Sequence, residues 1–262
     1  KINETGIVDF KEVTNCLGKK ILENDCSIFF NSKLLKVINY DTEIILETTS
    51  GEYRTKILVN CAGLYSDKIA NMSGVNAGVK IIPFRGEYYY LKKEKEYLVN
   101  HLIYPVPDPR FPFLGVHFTR MIKGGVEAGP NAVLAFKREG YSKSDFSLDE
   151  FGEMVTFPGF WKMVKKYYKM GYYEFKRSLL KNEFVAALQK LIPEITSDDI
   201  EKGGAGVRAQ ALDMNGKLLD DFFIKETENM VHVLNAPSPA ATAALSIGNK
   251  ISDIVVKKIN AS

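Results

Sequence analysis

The sequence predicts a mixed α+β and α/β protein: an open α/β layer and a second domain with a mostly antiparallel sheet flanked by helices. Three observations lead there. Ile57–Asp67 reads as a buried strand that runs through three small residues, Cys61-Ala62-Gly63, straight into a helix. His232–Gly248 repeats the order of strand, small residues and helix near the other end of the chain. Between them Lys80–Leu91 is a long strand, followed by several short ones and two helical stretches. The domain limits therefore fall near 80 and 213, setting 81–213 apart from 1–80 and 214–262.

A chain of 262 residues is long enough to bury a sizeable core, and 45% apolar with 26% charged residues is ordinary for a globular protein. A net charge of +3 is too small to imply a nucleic-acid partner. The three cysteines, Cys16, Cys26 and Cys61, show neither metal-ligand spacing nor a disulfide framework, which favours a reducing compartment and hence the cytoplasm. No apolar run is long enough to span a bilayer. The chain opens at Lys1 with no initiator Met and no signal peptide, so it reads as cut from something longer.

Taken in order, Asp9–Leu22 sets Phe10, Val13, Leu17 and Ile21 on one face of a helix. Strand-like pieces follow at Ser27–Phe30, Leu34–Asn39, Ile44–Thr48 and Tyr53–Val59, with Ser50-Gly51 as a hairpin turn. Ser66 or Asp67 is placed to cap the helix after Gly63. Along Lys80–Leu91, Arg85, Glu87 and Tyr89 share one face, and Phe84, Gly86, Tyr88 and Tyr90 the other. Leu102–Val106, Phe113–Thr119 and Gly125–Gly129 are further strands, joined by the rigid connector Pro105–Pro109. Phe157–Lys176 and Leu179–Leu191 are helices, the second ended by Pro193. Gly203–Gly206 reads as a loop leading into the strand Val207–Leu212, which puts Arg208 and Gln210 on one face. Phe222–Lys225 pairs with Met230–Leu234 as a hairpin.

There is no Ser/His/Asp elbow, no phosphate-binding P-loop and no metal-type cluster. No G-x-G-x-x-G follows a first strand. What remains is a set of cations, tyrosines and histidines on strands. Arg85 and Arg208 interrupt apolar strands, and each guanidinium needs a carboxylate. That partner is either internal, such as Glu87 or Asp213, or supplied by a substrate with two carboxylates. His101 and His117 are candidates to take the hydroxyl proton of an alcohol, with core histidines as the alternative, and Tyr88 and Tyr104 are candidates to hydrogen-bond the substrate.

Two stretches are built for a ligand to approach the main chain. Cys61, Ala62 and Gly63 end a strand where open α/β sheets bind ligands, although a plain tight turn accounts for them as well. Pro239 suits the first position of a helix with Ser238 as its N-cap, while Ala240, Ala241, Ala243 and Ala244 leave the first turns bare. A flat, partly anionic ring such as a reduced flavin fits there; a helix packed tightly on a sheet is the alternative.

Several of these residues match a known pattern. Asn60–Asp67 (NCAGLYSD), Pro83–Tyr89 (PFRGEYY), Asn100–Gly115 (NHLIYPVPDPRFPFLG), Gly206–Asp213 (GVRAQALD) and Asn235–Ala243 (NAPSPAATA) resemble the L-2-hydroxyglutarate oxidase/dehydrogenase family, in the expected order from about Thr5 onward. The wider group is the D-amino-acid-oxidase-like flavoproteins.

The resemblance implies that the open layer is an incomplete FAD-binding Rossmann-like domain and that the inserted part is a substrate domain. Leu35 and its strand would lie by the adenine, Cys61, Ala62 and Gly63 by the pyrophosphate, and Ser238, Pro239, Ala240, Ala241 and Thr242 by the flavin ring. It implies oxidation of L-2-hydroxyglutarate to 2-oxoglutarate, with the carboxylates held by arginines, a base taking the hydroxyl proton, hydride passing to the flavin, and oxygen or a quinone as electron acceptor.

The family's amino-terminal segment, with its glycine turn, is not among these residues. The chain by itself is therefore expected to hold FAD weakly or not at all, to be inactive alone, and to self-associate through exposed sheet edges. The aromatic and lysine stripe of Trp161–Lys169 is expected to rest peripherally on an anionic membrane, with a core or subunit-contact helix as the alternative. Two rival functions stay open: an amine or amino-acid oxidase on the same fold, and a non-catalytic binding or structural fragment.

Overall fold

A computed structural model describes residues 6–106, 114–237 and 239–261. In chain order its elements are α1 (Phe10–Glu23), β1 (Leu34–Asn39), β2 (Ile44–Thr48), β3 (Gly51–Thr55), β4 (Leu58–Asn60), α2 (Ser66–Met72), β5 (Val79–Leu91), β6 (His117–Arg120), β7 (Val126–Gly129), β8 (Val133–Leu134), α3 (Leu148–Val155), α4 (Pro158–Leu179), α5 (Lys181–Leu188), β9 (Ile200–Asp213), β10 (Phe223–Glu226), β11 (Met230–Asn235) and α6 (Ala244–Ala261). They divide into two units: Ile82–Asp220, and Val8–Ile81 with Asp221–Ser262.

In the second of these units, α1 is capped by Asp9, whose carboxylate accepts the Lys11 N–H at 3.0 Å. β1, β2 and β3 form an antiparallel meander that turns at Ser50-Gly51. A parallel pair, β4 beside β11, is extended by β10 running antiparallel to β11. All six residues of β11 are buried, as expected of a strand covered on both faces. Val37 and Ile44 of the meander pack on Met230 of β11, so the two sheets share one core.

Two expectations fail in this unit. Ser27–Phe30 forms no strand: Phe29 and Phe30 lie exposed, and the Phe29 ring leans on Tyr53 of β3 while no described strand pairs with the segment's backbone. Tyr53–Val59 is two strands rather than one: β3 belongs to the meander and β4 to the parallel pair, and the chain changes sheet at Lys56-Ile57.

The unit Ile82–Asp220 is built on a sheet ordered β6-β7-β5-β8, with β9 also pairing with β5. One core gathers Leu91, Phe118, Ala128, Phe184 and Leu188 between the sheet and α5. A second gathers Ile82, Met154, Phe160, Met163 and Leu212 beneath α3 and α4. Pro158 occupies the first turn of α4, where its missing N–H removes no bond.

Three expectations are corrected here. Gly203–Gly206 is not a loop; it lies inside β9, where a Cβ at Gly203 would come within 2.9 Å of the Tyr88 carbonyl. The glycine permits close strand pairing rather than a turn. Leu102–Val106 contributes only a single bridge, Ile103 to Phe118. Phe113–Thr119 begins as strand only at His117, and residues 107–113 lie outside the described part.

Candidate functional site

The first candidate site lies at the carboxyl ends of the parallel pair. Asn60, the last residue of β4, stands in register with His232 of β11. The chain leaves β4 through Cys61, Ala62 and Gly63 into a short 3-10 turn, Gly63–Tyr65, and then α2. Gly63 has a φ of 55°, a left-handed conformation that favours glycine, and a Cβ there would meet nothing within 4 Å. Cys61 is exposed. The turn is therefore small, open and able to let a ligand touch the main chain, and it sits where α/β sheets place ligands. Neither Ser66 nor Asp67 caps α2. Ser66 is its first residue, and the Asp67 carboxylate is buried, accepting the N–H of Ile81 at 3.1 Å and of Lys68 at 2.9 Å.

What holds the turn is Asn60. Its side-chain oxygen accepts the Ala62 N–H at 3.1 Å, and its amide nitrogen donates to the Ser66 carbonyl at 2.8 Å. The same nitrogen lies 3.1 Å from Nδ1 of His232, which is fully buried.

The segment after β11 departs from expectation. Pro239 is not at the first helical position: Ala243 donates to the Pro239 carbonyl at 3.1 Å and Ala244 to that of Ala241 at 3.2 Å, and regular helix begins only at Ala244. Ala240–Ala243 offer little beyond methyl groups, so little packing draws these turns into α geometry. Pro239, Ala241 and Thr242 are exposed and Ala240 half-buried; Ser238 lies outside the described residues. Leu35 is exposed at an irregularity in the pairing of β1 with β2.

The second candidate site is one face of the sheet in the other unit. Tyr89, Ala128 and Phe118 point into the core. The residues alternating with them, Tyr88 and Tyr90 on β5, Glu127 on β7, and His117 and Thr119 on β6, stand on the opposite face. The His117 ring stacks on Tyr104, centroids 4.1 Å apart, and the Tyr104 hydroxyl lies 3.1 Å from Oγ1 of Thr119. Nδ1 of His117 lies 3.1 Å from the Gly115 carbonyl. A carbonyl only accepts, so Nδ1 carries the hydrogen and Nε2 keeps its lone pair. Burial holds the His117 pKa down, against the Gly115 contact.

Burial, with smaller contributions from Glu127 and Tyr104, pushes Tyr88 up to about 12, so its phenol remains a donor. Gly204 places this face of β9 toward the Tyr90 hydroxyl, and alternation carries Arg208 to the same side. Burial presses down on the charged state of Arg208.

The structure thus brings Tyr88, Tyr104 and His117 together and sets Arg208 farther along the same face. It does not bring Arg85 or His101 there. Arg85 points to the other face, where its Nε and Nη2 both lie 3.0 Å from Glu87 and its Nη1 donates to the Ser142 carbonyl at 3.0 Å. Of the two partners open to it, the internal carboxylate is the one it meets. His101 is exposed on the loop ahead of Ile103. Glu127 was not among the sequence candidates. It is half-buried, and burial raises its carboxyl pKa. The sequence signal for it is the alternation Val126-Glu127-Ala128, whose apolar members mark the core side.

Among the described residues no cluster of His, Cys, Asp and Glu is arranged for a metal, and no helix is long and apolar enough to cross a membrane.

Comparison with known proteins gives a consistent result. An L-2-hydroxyglutarate dehydrogenase of Indibacter alkaliphilus is 56% identical over 258 residues, covering 98% of this chain and 65% of that protein. The mitochondrial L-2-hydroxyglutarate dehydrogenase of Caenorhabditis elegans is 45% identical, covering 97% and 61%. The chain therefore spans somewhat under two thirds of these relatives' length. Among solved structures, FAD-bound L-alpha-glycerophosphate oxidase from Mycoplasma pneumoniae superposes with a TM-score of 0.67 at 18% identity, over 94% of this chain and 55% of that one. It shares the fold. The sequence model of the FAD dependent oxidoreductase family matches residues 2–254, and the chain belongs to that family.

Proposed function

We propose that the whole protein is an FAD-dependent 2-hydroxy acid oxidoreductase that converts L-2-hydroxyglutarate to 2-oxoglutarate. The observation that carries this reading is His117, with Nδ1 tied to Gly115 and Nε2 left as a base beside Tyr104 and Tyr88. The 2-hydroxy acid dehydrogenases named among its relatives support it. In this reading Nε2 of His117 takes the C2 hydroxyl proton, and burial, by lowering its pKa, favours the unprotonated form this requires. Arg208 holds a substrate carboxylate through its planar fork, and the Tyr88 and Tyr104 hydroxyls orient the substrate.

The open turn at Cys61–Gly63 and the small residues Pro239–Thr242 fit a dinucleotide, and with Leu35 and Ser238 they are the residues that would hold FAD. Bound FAD supplies the hydride acceptor, and its electrons pass to oxygen or a quinone. The test is anaerobic reduction of the full-length flavoprotein. L-2-hydroxyglutarate is expected to bleach the flavin and yield 2-oxoglutarate. Bleaching by an amine or amino acid instead would favour the rival oxidase.

A finer part of the proposal concerns α4. Trp161, Tyr168, Tyr172 and Tyr173 are exposed on it together with Lys162, Lys165, Lys166 and Lys169, and Pro158–Tyr173 contains no acid. Beneath it lies an apolar cavity of about 320 Å³, lined by Phe84, Leu134, Met163, Val164, Tyr167 and Phe175 among others. Aromatic and basic side chains on one helix face suit an anionic membrane surface, giving peripheral attachment.

A further inference from the structure

We infer that His232 is a positioning residue for the cofactor-facing turn: through the acceptor at its Nδ1 it fixes the Asn60 amide, and Asn60 in turn fixes Cys61–Gly63. The inference rests on the FAD reading above, but its geometry stands apart from it. Asn60 is buried and its amide is fully committed. The oxygen accepts from Ala62, while the nitrogen donates one hydrogen to the Ser66 carbonyl and the other to Nδ1 of His232. Turning the amide over would set its NH2 group against the Ala62 N–H and its oxygen against the Ser66 carbonyl. The direction of the third bond is thereby settled: Nδ1 accepts, and the imidazole hydrogen is on Nε2.

That Nε2 is itself buried and has no hydrogen-bond partner among the described residues. A buried donor without an acceptor carries a desolvation cost that an apolar residue in β11 would avoid. Four of the five other residues of this strand, Met230, Val231, Val233 and Leu234, are apolar and buried, so apolar side chains suit it well. What histidine adds is an acceptor at the level of Asn60, where the strand backbone is already engaged in pairing.

Burial opposes a positive charge on the imidazole, and Lys225, paired with His232 from β10, adds to that with its own positive charge. Asp67 on α2 is already engaged by two main-chain N–H groups, and Cys61 follows Asn60 directly. A proton on Nδ1 would put donor against donor and release Asn60 from the turn.

The experiment uses the full-length protein. In the apoprotein, FAD affinity is read from flavin fluorescence and ADP affinity by calorimetry, and the His232 tautomer is read by nitrogen-15 NMR. His232→Leu removes the acceptor and is expected to weaken FAD and ADP binding by about tenfold or more. His232→Gln offers an amide oxygen to Asn60 and is expected to recover most of that loss. Asn60→Asp can only accept, so it should draw a proton onto Nδ1 and raise the imidazole pKa. Equal losses in the Leu and Gln variants, tracking their melting temperatures, would mean a merely structural role and overturn the inference. So would a wild-type imidazole protonated on Nδ1, a result that does not depend on any variant folding. A wild-type protein that binds no FAD would refute the cofactor reading, while the tautomer would still decide the Asn60–His232 bond.

Discussion

Tyr104 and His117 stack face to face, their ring planes 17° from parallel, while the Nδ1 side of His117 is held by the Gly115 carbonyl. The imidazole is thus fixed in plane and in tautomer before any substrate arrives. His117→Asn in the full-length enzyme is expected to lower kcat by about 100-fold or more, the usual contribution of a positioned base. The base works unprotonated and burial lowers its pKa, so the acid limb of kcat/KM should lie below the ordinary histidine value and kcat/KM should rise with pH through it. A pH profile of the Asn variant that keeps the same limb would remove His117 from this role.

Arg208 is the cation of this face in the proposed function. Arg208→Lys keeps the charge but loses the planar fork, and kcat/KM for L-2-hydroxyglutarate is expected to fall by about 2–4 kcal/mol. Steady-state kinetics on a variant with wild-type circular dichroism would check this, and unchanged values would count against it.

Two glycines of α4 should respond with opposite signs. A Cβ at Gly159 would lie 2.1 Å from the Asp213 carbonyl, so Gly159→Ala must shift backbone and is expected to destabilise by about 1–3 kcal/mol despite the better helix propensity of alanine. At Gly171 a Cβ meets nothing within 4 Å, and Gly171→Ala is expected to stabilise by about 0.4–1 kcal/mol. Urea unfolding of both variants decides the matter.

Changing Lys162, Lys165, Lys166 and Lys169 together to Glu should abolish partitioning onto anionic liposomes and leave neutral liposomes indifferent. Flotation of wild type and variant is the measurement. Equal partitioning would leave α4 as an ordinary solvated face.

Long elements with a clear period were legible in the sequence, among them α1 with its Phe10-to-Ile21 stripe, β5, and the β10–β11 hairpin. The missed elements are short. α3 does carry a period, Leu148, Phe151, Met154 and Val155 behind the cap Ser147, but only over eight residues with Gly152 inside, and β8 is two residues held by pairing with β5. Gly203–Gly206 misled because glycine marks both turns and close strand contact, and only the presence of Tyr88 opposite separates the two. At the candidate sites, residue types were readable but partners were not. Arg85 and Glu87 are two apart on a strand, so their pairing could be weighed from the sequence. Asn60 and His232 are 172 positions apart, and no local pattern joins them. Glu127 looks like any solvated strand position until β6 and β7 are in register.

The exposure of Cys61 gives the protein a chemical footprint of its own. Cys16, Cys26 and Cys61 are all free and exposed, and Cys61 alone stands on the turn assigned to the dinucleotide. An alkylating reagent should modify all three in the apoprotein, each at a rate that peptide mass spectrometry can follow separately. Adding FAD should slow Cys61 while Cys16 and Cys26, on and after α1, serve as internal clocks. Occupancy of the turn then becomes measurable with neither turnover nor colour, in any length of the chain that folds.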